Sequence, residues 1–350
     1  MTMRSLTACL LAGAVAVGFA PAAALAADAK PTASAYKPPR NLYGQPDLEG
    51  TWTNATLTVL ERPAEYGDRL VMTPDEVAKI EGANSDMVAK GNAPTDPNLK
   101  VTDLPTDCGR GFTGTNCGYN TGWIDPGDTV MRVGGQPRTS FITTTANGRV
   151  PPRKPGTAAP AGNRLTRAGM GPNDNPEQKS LGERCILSFG RSAGPPMLPL
   201  LYNNNYQITQ NKDHVAILVE MVHDVRNVRL NAKEHLPRHI RPWMGDSIGW
   251  YEGDTLVVET TNFPQLQAFQ GSWENLKVTE RFTRTRTDAI LYQFRIEDPT
   301  VWDTSWGGEY EFTPSKGQVY EYACHEGNYG LENILAGARA EEAAGSQAAA

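Results

Sequence analysis

The 350 residues carry 33 Lys and Arg against 39 Asp and Glu, a formal net charge of −6. That balance argues against a nucleic-acid partner, which needs a basic footprint. The 34 Gly and 26 Pro point to many turns and loops, and beyond the N-terminus no segment is apolar enough to span a bilayer.

Residues 1–26 read as a signal peptide. Arg4 supplies the basic start, Leu6 to Ala20 the short apolar run, and Ala24-Leu25-Ala26 the cleavage pattern. The expected mature chain starts at Ala27 and is periplasmic or secreted. About 320 residues then remain, enough for a large core. Residues 27–45, rich in Ala, Pro and Lys, are expected to be a disordered lead. Residues 46–342 are expected to form a single β-barrel-type domain with long loop excursions, and 343–350 a disordered tail.

Within the domain, Gly50-Thr51-Trp52 opens the first strand. A Gly-x-Trp there resembles the entrance of lipocalin-type barrels, where the Trp closes the base. Thr73-Pro74-Asp75-Glu76 predicts a helix start, with Thr as N-cap, Pro at N1 and Glu at N3. The helix is expected to run to about Glu81. Residues 91–120 and 146–180 read as long excursions. From Tyr206 the pattern becomes regular: Tyr206–Gln210, His214–Met221 and Val225–Leu230 are rich in β-formers. Glu252-Gly253-Asp254 divides Ser247–Tyr251 from Thr255–Thr261 as a hairpin turn, and Arg286-Thr287-Asp288 divides Leu276–Thr285 from Ala289–Glu297. In the last pair Val278, Phe282, Ile290, Tyr292, Phe294 and Ile296 share one face. This period of two fits a mainly β, antiparallel meander with one buried side, and the sequential hairpins favour an up-and-down barrel or a strongly curved sheet.

Removal of the signal takes away Cys9 and leaves Cys108, Cys117, Cys185 and Cys324. An even number in an oxidising compartment suggests two disulfides. Sequence proximity favours Cys108–Cys117, with Cys185–Cys324 as the long bridge. There is no Cys-x-x-Cys spacing, and no metal is expected.

Several blocks are similar to a family of secreted, lipocalin-like proteins of proteobacteria and acidobacteria. They are Pro46 to Trp52, Leu181 to Cys185, Gly194 to Met197, Tyr202 to Asn205, Glu220 to Asp224, Trp243 to Ser247, Glu252 to Leu256 and Tyr322 to Gly330. The resemblance covers most of residues 46–342. It implies an antiparallel, up-and-down lipocalin-like barrel elaborated with long loops and a few short helices, and carries no catalytic assignment.

Three clusters bear chemistry. His223 stands with Glu220, Asp224, Arg226 and Arg229. It shares strand parity with Val215, Ile217, Val219 and Met221, so it is expected inside the barrel near its mouth, as a general base. Asp224 reads rather as a turn-former. His235, Arg238, His239, Arg241, Trp243, Asp246 and Ser247 lie on a loop-like stretch broken by Pro237 and Pro242. Pro237 makes a helical His pair a poor metal site, and Arg241, Trp243 and Asp246 read as a gate that holds substrate. His325 and Glu326 follow Cys324 and are expected to supply the second acid–base element, with Tyr202 and Asn204 as substrate-binding groups.

No Gly-x-Ser-x-Gly elbow, phosphate-binding glycine loop or dinucleotide fingerprint occurs, so no cofactor is expected. The expected function is an exported, cofactor-independent lyase, hydratase or isomerase acting on a small apolar or aromatic molecule. One alternative is a periplasmic carrier of a hydrophobic ligand. Another is a carbohydrate-active protein using Trp52, Trp250, Trp273, Trp302 and Trp306 as platforms. Nothing in the sequence specifies an oligomeric state.

Overall fold

Alternation of buried and exposed residues shapes the whole molecule. A computed structural model describes residues 36–92, 94, 97–98, 100, 125–157 and 170–348. The signal segment, Cys108 and Cys117 lie outside the described residues. The strands are β1 (Gly50–Thr53), β2 (Arg132–Val133), β3 (Gln136–Pro137), β4 (Asn205–Gln210), β5 (His214–Val219), β6 (Val225–Arg229) and β7 (Asp246–Glu252). They continue with β8 (Thr255–Thr261), β9 (Lys277–Arg286), β10 (Ala289–Glu297) and β11 (Trp306–Pro314). The α-helices are α1 (Pro74–Gly91) and α2 (Tyr329–Ala348).

Nine strands close into a barrel in the order β1, β11, β10, β9, β8, β7, β6, β5, β4, while β2 and β3 form a separate ribbon. A closed ring can alternate direction throughout only if its strand number is even. Nine is odd, so one junction must be parallel. It is β6–β7, joined only at Val228↔Ser247 and Arg229↔Ile248. The meander is otherwise antiparallel. A parallel junction cannot be made by a tight turn and needs a long crossover. Here residues 230–245 supply it.

The expected inward face of β9 and β10 is present: Val278, Phe282, Ile290, Tyr292, Phe294 and Ile296 are all buried. The Glu252 turn is a two-residue hairpin, with Glu252 paired to Thr255 and Gly253 at φ 63°. Trp52 is buried, and its indole N–H donates to the Leu48 carbonyl at 3.0 Å.

The barrel interior is filled. Rings of Tyr206, Phe282, Tyr292, Tyr310 and Phe312 pack in edge and tilted contacts 4.7–5.7 Å between centroids. Arg226 forms an ion pair with Glu280 in which both side chains are buried. The segment Ser192–Leu198 is buried. Its Met197 peptide is clamped by two phenols: Tyr292 Oη accepts from Met197 N at 2.9 Å, and Tyr310 Oη donates to Met197 O at 2.6 Å. Tyr292 Oη in turn donates to Glu280 at 2.7 Å. Part of the barrel interior is therefore occupied by the chain itself.

Three elements differ from expectation. Helix α1 has the anticipated Thr73–Glu76 capping box but continues past Glu81 to Gly91. The described part of the lead is a hydrogen-bonded turn, in which Asn41 Oδ1 accepts from the amides of Tyr43 and Gln45 at 2.9 and 3.1 Å. Helix α2 runs through Ala348, across the described part of the tail. Arg339 ties it to the carbonyls of Asn173 and Asp174 at 3.0 and 3.3 Å.

Candidate functional site

The gap beside β6 is the chemical centre of interest. A cleft of about 510 Å³ opens there, walled by Cys185–Leu187, by Val222–Asn227 and by Pro242–Gly245 of the crossover. Outward-facing Val225 and Asn227 and inward-facing Arg226 and Ser247 all line it. The cleft thus reaches into the barrel wall where β6 and β7 part.

The turn into β6 sets its floor. Strand β5 stops at Val219, and Met221–His223 make one 3₁₀ turn. Val222 and His223 are left-handed, at φ 61° and 47°. That conformation is unfavourable for a β-branched residue, and such strain concentrates at functional sites. The turn also breaks strand parity. Met221 and Val222 go into the core, whereas His223 is exposed, so the expected interior histidine stands on the outer side of the wall.

His223 Nδ1 lies 3.1 Å from the Tyr322 carbonyl. A carbonyl only accepts, so Nδ1 carries a proton, and in the neutral ring Nε2 presents its lone pair. The Cys185–Cys324 disulfide, with Cα atoms 5.6 Å apart, fixes the segment that supplies this carbonyl. The expected long bridge is therefore present, and it orients a cleft residue.

Asp224 is the neighbour that the sequence undervalued. Its carboxyl accepts from Ser188 N at 2.9 Å. Burial pushes its pKa up to about 6, against the opposing pull of the Ser188 hydrogen bond and of His223. A carboxyl so shifted, lining a cleft, marks a candidate proton-transfer group.

The remaining expected residues divide. Trp243 lines the cleft and is 42% exposed, an aromatic wall. Asp246 also lines it, but its carboxylate is already engaged. Both oxygens accept from Arg229 Nη2 at 2.9 Å, and one also accepts from Leu236 N and faces His235 Nδ1, each at 2.9 Å. Arg241 does not pair with Asp246. It donates to the Phe263 carbonyl at 2.7 Å and lies 5.1 Å from the Trp273 ring centroid, which pins the crossover. Asn204 is buried and bonded to both the amide and the carbonyl of Leu200 and to the Asp125 carbonyl, so it shapes a loop. Tyr202 lines a second cleft of about 720 Å³ with Glu220 and Tyr322. His325 and Glu326 are exposed on a turn, and neither lines either cleft. Among the aromatic platforms, Trp52, Trp302 and Trp306 are buried in the core.

Arg226 and Glu280 were both marked by parity. Glu280 falls between Val278 and Phe282 on the inward face, and Arg226 precedes Val228 by two. A charge at an inward position asks for a buried partner, and that signal was there to be read.

No family model and no curated protein matches the chain. Among solved structures, a crystal structure of a mutant of the fluorescent protein UnaG aligns with 32% of this chain and 72% of its own, at 12% identity and a TM-score of 0.20. That score carries no argument about ligand or activity. The assignment of a closed β-barrel stands on the strand pairing itself. Among the described residues no helix is long and apolar enough to cross a membrane.

Proposed function

We propose that this chain is an exported acid–base enzyme of lyase, hydratase or isomerase type. It acts in the side cleft on a small apolar or aromatic molecule. The observation that carries the reading is the pairing of His223 and Asp224 on one strained turn. One offers a lone pair at Nε2, and the other has a carboxyl raised to about 6. Positioned groups of this kind can take and return a proton, each contributing roughly 10²–10⁴-fold. Trp243, Val225 and Met244 supply an apolar wall for the body of the substrate. The disulfide and the signal pattern of residues 1–26 support an exported, oxidising setting.

The test is incubation of the purified mature protein with a metabolite pool, read by untargeted mass spectrometry. Wild type, His223→Ala and Asp224→Asn are compared. A mass feature shifted by water, or isomerised, by wild type and by neither variant is expected. A compound retained unconverted by all three proteins would replace the enzyme with a hydrophobic-ligand carrier.

A further inference from the structure

The crossover that walls the cleft carries a histidine held between two carboxylates, beside Asn262 Nδ2, which donates to the Leu236 carbonyl at 2.8 Å. His235 Nδ1 lies 2.9 Å from Asp246 Oδ2 of β7, and its Nε2 lies 3.2 Å from Glu259 Oε1 of β8. Carboxylates accept and do not donate when ionised. A neutral imidazole has one N–H, so it can satisfy only one of the two and must aim a lone pair at the other. The geometry fits the imidazolium, which donates at both nitrogens. From this we infer that His235 is a proton-operated latch. Protonated, it holds residues 231–245 down over the cleft; deprotonated, it loosens them.

The surrounding charges do not replace it. Arg229 of β6 is spent on Asp246. Lys277 of β9 sits between Glu259 and Glu297 of β10, at 3.4 and 3.2 Å. Of the crossover's own ionisable groups, Lys233, Glu234, Arg238 and His239 are exposed, and Arg241 holds the far end through the Phe263 carbonyl. Asp246 also accepts from Leu236 N. The latch therefore joins the first half of the crossover to two strands of the wall. Leu236, Trp243 and Met244 move with it, and all three line the cleft. Access to the cleft should rise as pH rises through the histidine range. The inference rests on the cleft named above but not on its chemistry.

Hydrogen exchange of the full mature protein tests it. Protection of the amides of Leu236, Ile240 and Gly245 is measured at about pH 5 and about pH 8, the range in which histidine changes charge, with correction for intrinsic rates. Wild type is expected to lose roughly tenfold protection at the higher pH, the worth of one hydrogen bond to a charged group. His235→Gln should abolish the difference. Glu259→Gln supplies an amide that can donate to the neutral ring, so it should stay protected at both values. Asp224→Asn and His239→Asn should keep the wild-type difference, since Asp224 also titrates in this range. Equal protection of wild type at both pH values would overturn the latch. So would a His235→Gln or Glu259→Gln protein that still loses protection at high pH. If the latch holds while no compound is converted, the proposed chemistry fails alone.

Discussion

Asp224 shows what one buried carboxyl costs a fold. An ordinary aspartate titrates near 3.9, whereas burial lifts Asp224 to about 6. The folded state therefore prefers the protonated form. Its contribution to stability is fully present below the ordinary carboxylate range and is lost as pH rises through about 6. At neutral pH the ionised group costs about 2–3 kcal/mol by that shift. Asp224→Asn keeps an acceptor for Ser188 N and removes the charge. It should be more stable than wild type at about pH 8 and indistinguishable at about pH 4, by urea denaturation. An equal or lower stability at the higher pH would mean that the carboxylate is well solvated. The same substitution should abolish conversion in the proposed reaction, an exchange of activity for stability. His223 was legible as a candidate site residue, yet its direction was not. Parity counts along a strand, and two left-handed residues end the strand before the count reaches it.

Strand by strand, the meander was legible because each hairpin combines alternation with a turn that enforces it. The sequence assigned Thr255–Thr261 and Ala289–Glu297 with the bounds that β8 and β10 have. Strand β11 escaped because Gly307 and Gly308 interrupt its pattern. Close approach requires them: a Cβ on Gly308 would sit 2.0 Å from the Phe141 carbonyl oxygen, and one on Gly307 2.0 Å from that of Phe294. Contacts across elements were not legible either. Asp246 and Glu259 are brought together by the β7–β8 register, and the crossover carries His235 to them, which no local pattern records. The buried pair between β6 and β9 tests the interior. Arg226→Met strands Glu280 without its cation and should cost about 3–5 kcal/mol, whereas the Arg226→Met/Glu280→Leu double variant should recover much of that loss. Equal destabilisation in the two proteins would show that packing, not charge pairing, dominates there. Tyr292→Phe leaves Met197 N without its acceptor inside the barrel and should cost about 1–3 kcal/mol by the same denaturation assay.

At the scale of the molecule, the Cys185–Cys324 bridge spans 139 residues and joins the walls of both clefts. The paired Cys185→Ser/Cys324→Ser variant should lose about 2–4 kcal/mol. It should also lose more conversion than stability predicts, because Tyr322 no longer holds the imidazole of His223. Activity that tracks the folded fraction alone would remove that positioning role.

The ring closure has a temporal consequence. Strand β1 is the first barrel strand to leave the ribosome, yet its partners are distant: Trp52 pairs with Tyr206 on one side and Pro314 on the other. Strands β4 to β11 find their neighbours in succession, while β1 waits for both ends of that row. Distant pairings are slow to form, since a long loop must close before any contact rewards it. The barrel therefore cannot shut until nearly the whole chain is available. A polypeptide whose last closure comes so late stays an open row of strands for most of its synthesis.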